Sequence, residues 1–363
     1  MIPYLDLSRI HQPIKDEILE SIGGLIDKNE FVLGASVETF ERNFAKYCGT
    51  EYAISVNSGT SALHLSLEAL GIGNGDEVIV PTMTFMATAA AVSYTGAIPR
   101  FVDVNPMTWN LEPSEIEAAI NDRTKAIIPV HLHGLMAEMP AITAIAKSHG
   151  LFVIEDAAQA HGASISGQGA GTFGHVGCFS FYPGKNLGAL GEGGAIVTND
   201  AEIRDRLMLL RNWGSRNKYV HEMVAYNNRL ESIQAVSLDI KLKYLDEWTA
   251  QRQKAADLYR KLLMGSTYKL SEPQDGYKHV QHIFAVQTED RDLVTEALTT
   301  AGIGWGIHYP IPLHLQPAYS SLGYQIGDFP ISENLGNTWV SLPMFPGITN
   351  EEVEAVVATL MRV

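Results

Sequence analysis

Ala53-Ile-Ser-Val-Asn-Ser-Gly-Thr-Ser-Ala62 reads as a short apolar strand that turns at once into a helix reaching about residue 70. A continuous apolar run of this length suits a strand covered on both faces, and small residues at the strand-to-helix turn leave backbone N–H groups free to hold an anion. Ser and Thr also cap ordinary helices at these positions, so the turn alone leaves both readings open. Working outward, the pattern repeats: Glu77-Val-Ile-Val-Pro81, residues 98–102, Thr124-Lys-Ala-Ile-Ile-Pro-Val130 and Leu151-Phe-Val-Ile-Glu155 are apolar runs separated by helical stretches near 82–92, 113–120 and 140–149. Strands alternating with helices predict βαβ units and an α/β domain with a mostly parallel sheet, whose ligands sit at the carboxyl ends of the strands.

Before this unit, residues 6–28 carry Ile10, Ile14, Ile18, Ile22 and Leu25 at helical spacing, weakened near the end by Gly23-Gly24, and residues 37–48 place Phe40, Phe44 and Tyr47 on one helix face. Beyond it, residues 231–263 form one long helical pattern suited to connecting two domains. A strand at 282–287 and helices at 291–301 and 350–361 follow as a smaller α+β unit. The expected division is residues 1–245 and 246–363, consistent with a chain of 363 residues.

The formal net charge of −15 argues against a nucleic-acid surface, which needs clustered Lys and Arg. The apolar runs stop well short of a membrane span, the N-terminus lacks a secretory pattern, and Cys48 and Cys178 do not suggest a disulfide scaffold. The expected compartment is the cytoplasm.

Two further stretches carry chemistry. In Glu155-Asp-Ala-Ala-Gln-Ala-His161 a carboxylate, Asp156, stands at a strand end, where it could equally cap a helix. Ser180-Phe-Tyr-Pro-Gly-Lys-Asn-Leu-Gly-Ala-Leu-Gly-Glu-Gly-Gly-Ala195 sets a single cation, Lys185, in a glycine-rich run that permits close backbone approach to a ligand. A lysine for a covalent link, an acid for a ring nitrogen and a phosphate cradle at residues 58–62 are the parts pyridoxal phosphate requires. His131-Leu-His133 invites a metal reading, but no Cys or carboxylate stands near it in sequence, and no metal is expected.

With Asn57-Ser-Gly-Thr-Ser-Ala-Leu63, Arg211-Asn-Trp-Gly-Ser215, Asn227-Asn-Arg-Leu-Glu-Ser-Ile-Gln-Ala235 and Tyr309-Pro-Ile-Pro-Leu-His-Leu-Gln-Pro-Ala-Tyr319 added, almost the whole chain resembles the DegT/DnrJ/EryC1/StrS sugar aminotransferases. His133, where the family more often has an aromatic residue, and Ala225, where glycine is common, depart from its pattern. The resemblance implies a fold-type-I pyridoxal-phosphate transferase with a mixed seven-stranded sheet, working as a homodimer with shared active sites. Lys185 would carry the cofactor and then move the proton, with pyridoxamine phosphate as the amino carrier, and Asp156 would pair with the ring nitrogen. Gln159 would meet the ring hydroxyl, Gly59, Thr60 and Ser180 the phosphate, and Phe85 the ring face, although Phe85 could be core and Ser180 simply a strand residue. Asn227 would reach the phosphate of the neighbouring subunit or else bridge a loop.

Lys185-Asn-Leu-Gly188 resembles the branch acting on 3-keto sugars. It implies transfer from L-glutamate to C3 of a dTDP-linked 3-keto-6-deoxyhexose, in O-antigen or other glycan synthesis. A UDP-linked 3-keto sugar, a 4-keto sugar, or a non-catalytic regulator on the same fold are the alternatives, the last weakened by the presence of both Lys185 and Asp156. Lys218, Tyr219, His308, Tyr309 and His314 are candidate contacts for diphosphate or hexose, or else loop charges and packed aromatics.

Overall fold

The computed structural model describes residues 1–363. Its strands are β1 (Tyr52–Val56), β2 (Glu77–Pro81), β3 (Ile98–Val102), β4 (Thr124–Ile127), β5 (Phe152–Asp156), β6 (Ser164–Ile165), β7 (Gln168–Gly169), β8 (Val176–Ser180), β9 (Gly194–Thr198), β10 (Tyr277–Lys278), β11 (Phe284–Gln287) and β12 (Trp339–Leu342). Seven of them build one sheet in the order β1-β9-β8-β5-β4-β2-β3. The pairs β8/β5, β5/β4, β4/β2 and β2/β3 are parallel, whereas β9 is antiparallel to both neighbours. This is the mostly parallel α/β sheet that the alternating pattern predicts, and the mixed seven-stranded one that the family resemblance implies.

Side chains on successive strand residues point to opposite faces, and both faces here are covered. Ile79, Ile127, Val153, Phe179 and Val197 join one core, while their neighbours Val78, Val80, Ala126, Ile154, Cys178 and Ile196 join another. Double coverage is the reason the strands read as unbroken apolar runs. On the first face, Phe40 and Phe44, one turn apart on the helix Ala35–Cys48, stack with ring centroids 5.6 Å apart, and Phe44 meets Phe179 and Phe181 edge-on at 5.2 Å.

Two local expectations differ from the structure. The helical pattern of residues 6–28 is interrupted by a 3-10 turn at Gln12–Ile14 between the helices Ser8–His11 and Lys15–Lys28, and the second runs through Gly23 and Gly24 to its expected end before Asn29, which takes φ of 54°. The single helical pattern of residues 231–263 is two helices, Ser232–Leu242 and Leu245–Leu262. They meet at a turn in which Lys243 and Tyr244 donate to carbonyls three residues back, Ile240 and Lys241. No Gly or Pro marks that turn, and Leu245 and Trp248 bury immediately after it, so the apolar spacing continues across the break.

The C-terminal part pairs β11 with β12 in antiparallel fashion beneath Leu245–Leu262, Arg291–Thr300 and Asn350–Leu360, around Tyr259, Val294, Leu298, Val353 and Val357. Ile2 bridges to Ile303, so the first residues lie on this unit. No helix of the chain is long and apolar enough to cross a membrane.

Candidate active site

β1, β5 and β8 run in the same direction and end at Val56, Asp156 and Ser180. A cavity of about 590 Å³ opens at these ends, lined among others by Gly59, Thr60, Phe85, Asp156, Gln159, Ser180, Lys185, His308 and Tyr309. Nine of the residues singled out in the sequence thus converge, although they come from positions 59 to 309.

One end of the cavity is the N-terminus of the helix Gly59–Ala69. Ser58 caps it, its Oγ accepting the Ser61 N–H at 3.0 Å, while the N–H groups of Gly59 and Thr60 donate to nothing in the chain. A Cβ on Gly59 would stand 2.6 Å from Ser180 Cβ, so glycine is what lets this turn close against the end of β8. Two unpaired N–H groups with a hydroxyl-bearing residue against them, at the positive end of a helix dipole, fit a phosphate.

Alternation along β5 separates two adjacent acids. Glu155 points away from the cavity into the protein, where it accepts from the N–H groups of Gly171, Phe173 and Gly174 at 2.7–2.8 Å and from His131 Nε2 at 2.9 Å. His131 Nδ1 accepts the Ala137 N–H at 3.2 Å, so Nε2 carries the proton and His131 is a wall bond. Asp156 faces the cavity. Its Oδ2 accepts from Thr88 Oγ1 at 2.8 Å and its Oδ1 from the Ala158 N–H at 3.2 Å, yet burial pushes its pKa up against these bonds and the nearby charge of Lys185. A cation brought beside this carboxylate would draw the pKa back down.

Lys185 lies in the connection of residues 181–193 between β8 and β9, half-buried, with its N–H donating to Tyr182 O at 2.8 Å. Burial lowers its amine to about 8, opposed by the charge of Asp156. Asn186 anchors the loop, its Nδ2 donating to Val280 O at 3.0 Å and its Oδ1 meeting His282 Nδ1 at 3.1 Å. Between acid and lysine, Gln159 Oε1 accepts the His133 N–H at 2.5 Å and its Nε2 donates to the Tyr309 hydroxyl at 3.2 Å, which fixes the amide orientation. Phe85 is 56% exposed and tilts against Tyr309 with centroids 5.5 Å apart, so it is a cavity-mouth residue and not core. His308 Nδ1 lies 2.9 Å from Ser341 Oγ, and burial lowers His308 to about 4 and His133 to about 3, so both imidazoles are neutral at physiological pH.

Four candidates lie outside the cavity. His314 is buried with both nitrogens engaged, Nδ1 by Thr82 Oγ1 at 2.7 Å and Nε2 by Glu333 at 3.0 Å, which leaves nothing for a ligand. Lys218 and Tyr219 are exposed and paired with each other at 5.1 Å. Asn227 is exposed, on a segment bridged to Asn212. Conversely, Tyr4, Leu5, Glu192, His282, Ile283 and Met344 line the cavity without having been singled out. Tyr4 stacks on His308 at 5.6 Å, a meeting of residues 4 and 308 that no local pattern announces.

Residues 12–361 match the model of the DegT/DnrJ/EryC1/StrS aminotransferase family. The chain belongs to that family. It is 48% identical to the UDP-N-acetyl-3-dehydro-alpha-D-glucosamine 3-aminotransferase of Acidithiobacillus ferrooxidans, covering 99% of this chain and 97% of the relative. It is 45% identical to the dTDP-3-amino-3,6-dideoxy-alpha-D-galactopyranose transaminase of Aneurinibacillus thermoaerophilus, over 100% of this chain and 99% of the other. Among solved structures, DesV of S. venezuelae in complex with a ketimine intermediate superposes with a TM-score of 0.98 at 43% identity, covering 99% of this chain and 98% of that one. A ketimine is the species that pyridoxamine phosphate forms with a keto group. This aminotransferase therefore uses pyridoxal phosphate, and the free N–H pair, the cavity-facing acid and the half-buried amine form a site that fits it.

Proposed function

We propose that this aminotransferase moves the amino group of L-glutamate to C3 of a dTDP-linked 3-keto-6-deoxyhexose. The convergence of Lys185, Asp156 and the free N–H groups of Gly59 and Thr60 on one cavity carries the reaction. The sequence Lys185-Asn-Leu-Gly188 and the likeness to a dTDP-3-amino-sugar transaminase support C3 and dTDP. A UDP-linked 3-keto sugar is the second reading, supported by the likeness to the Acidithiobacillus enzyme.

Bound pyridoxal phosphate supplies an electron-accepting ring that stores the amino group between the two half-reactions. The chain's own residues do the rest. Gly59 and Thr60 N–H groups and Ser180 hold the phosphate. Asp156, a buried carboxylate, keeps the proton on the ring nitrogen, since the charge pair replaces a costly lone anion. Gln159 Nε2, oriented by its bond to Tyr309, presents a second N–H to the ring hydroxyl, and Phe85 covers the ring face. Lys185 takes and returns the proton at the reacting carbon. An amine lowered to about 8 is substantially neutral near pH 8 and still gives a usable acid after protonation, and its tether makes the transfer intramolecular.

The active unit we propose is a homodimer with shared sites: Asn227 matches the asparagine that the family directs at a phosphate, and since it is exposed and outside its own cavity that role would fall to a neighbouring subunit's site. We further propose a large domain of residues 1–245 carrying the cofactor and a smaller one of 246–363. The enzyme would act in the cytoplasm in O-antigen or other glycan synthesis, where two unpaired cysteines are at home. The test is a panel of dTDP- and UDP-linked 3-keto and 4-keto sugars with L-glutamate. Highest kcat/KM on a dTDP-linked 3-keto sugar is expected, with Lys185→Ala inactive. A preference for a 4-keto sugar, or turnover by Lys185→Ala, would refute the reading.

A further inference from the structure

Lys241 is the one lysine fully enclosed in the protein, at 1% exposure. It belongs to the last turn of the helix Ser232–Leu242, where the dipole favours a cation. No carboxylate pairs with it, and burial alone lowers its amine to about 8. Its Nζ donates to Gly188 O at 2.6 Å and meets His11 Nε2 at 2.9 Å. Seven residues earlier on the same helix face, Gln234 Oε1 accepts the Leu190 N–H at 2.9 Å. One helix therefore holds a carbonyl and an N–H on either side of Ala189, in the loop that carries Lys185.

Gly188 is also where the loop folds back on itself: a Cβ there would lie 2.3 Å from Pro183 O, so residues 183 and 188 touch across the turn whose middle is Lys185. A bond on the Gly188 carbonyl thus fixes the base of that turn. A leucine would fill the space beside the helix as well as a lysine, and would not need desolvating. What only the ammonium supplies is a strong donor for a carbonyl that would otherwise be buried without a partner.

We infer that Lys241, with Gln234, is a positioning residue for the amine of Lys185, clamping the base of the turn that presents it to the cavity. The inference rests on the reading of Lys185 as the reacting amine. Lys241 acts through the backbone, since its Nζ is bonded to Gly188 O and His11 Nε2, while the charge facing the Lys185 amine is that of Asp156, with His161, His282 and His308 as its other titratable neighbours.

The test labels cofactor-free, full-length protein with limiting acetic anhydride across pH and follows acetylation of Lys185 by mass spectrometry. The native midpoint is expected near 8. In Lys241→Met the loosened turn lets water reach the amine, and the midpoint is expected to rise by about one unit, tenfold in the proton equilibrium. In the holoenzyme kcat should fall about tenfold while KM for the sugar stays within about twofold. Gln234→Leu should shift the midpoint the same way, and it replaces Lys241→Met if that variant does not fold. His11→Phe, which spares the Gly188 bond, should leave the midpoint in place.

A midpoint unmoved in the folded clamp variants, with only Tm lowered, would overturn the inference, as would an equal shift in His11→Phe. Borohydride trapping of the cofactor on the native chain separates the two failures. A label on a different lysine defeats the reading of Lys185, whereas a label on Lys185 with an unmoved midpoint defeats the clamp alone.

Discussion

Replacing Gly59 by alanine adds one carbon where the turn proposed to bind the phosphate meets β8. That Cβ would stand 2.6 Å from Ser180 Cβ, 3.1 Å from its Cα and 3.2 Å from its Oγ. Non-bonded carbons settle at about 3.5–4.0 Å, so the helix start and the strand end must separate by about 1 Å. Gly59 sits in the first turn of a helix, where alanine is the better residue by up to about 1 kcal/mol. Against this, forcing the contact apart costs about 1–3 kcal/mol, so global stability should fall only slightly. Cofactor binding should suffer more. Moving the Ser180 hydroxyl away from the free N–H pair removes one hydrogen bond to a charged phosphate, about 1.5–3 kcal/mol, or roughly ten- to a hundredfold in affinity. The assay is a spectrophotometric titration of cofactor-free protein with pyridoxal phosphate, alongside a thermal melt. Ser180→Gly removes the nearest obstructing atom together with the same hydrogen bond and leaves only the 3.1 Å contact with Cα, so the loss in the double variant should be clearly less than the sum of the single losses. Native-like affinity in Gly59→Ala, or additive losses in the double variant, would refute the placement of the phosphate between these two residues.

Three other outcomes follow from the geometry. If Lys185 is the reacting amine, as proposed, the rate at which cofactor-free protein captures pyridoxal phosphate should climb with pH up to about 8 and level off above it, because only the neutral amine attacks. Asp156→Asn removes the charge that holds the Lys185 proton, so this midpoint should fall, while transamination drops by about 10²–10⁴; stopped-flow capture and steady-state assays read the two effects. Glu155→Gln presents an amide N–H₂ to some of the four donors that Glu155 now accepts, so denaturant unfolding should register a loss of about 3 kcal/mol with the cofactor site otherwise retained.

The parts legible in the sequence were those set by local rules. Strands covered on both faces write themselves as apolar runs, and the small-residue turn, the strand-end acid and the lysine among glycines could be marked from local composition, while their meeting in one cavity could not. Harder to read was whatever depends on meetings between distant segments. Tyr4 and Leu5 reach the cavity only because the first residues lie on the C-terminal unit. His314 looked like a ligand until Thr82 and Glu333, far away in sequence, took both its nitrogens. Glu155 and Asp156 are adjacent acids with opposite fates, and only the parity of β5 decides which one faces the cavity. The turn at Lys243 and Tyr244 was hidden because apolar spacing reports which face is buried and not whether the backbone is continuous.

The reversed direction of β9 has a consequence for how this site could be re-engineered. A parallel successor to β8 would require a crossover carrying the chain back to the opposite edge of the sheet, whereas an antiparallel one can be joined directly. Residues 181–193 therefore stay at the edge where β1 and β5 end, and Lys185 is in effect borne on a hairpin. The acid and the phosphate turn sit on rigid strand ends, so their spacing is fixed by the sheet. The reach of the lysine is set by the length of the loop and by the bonds that anchor it at Asn186, Gly188 and Leu190, and insertions or deletions between those anchors would retune it without altering a single strand pairing.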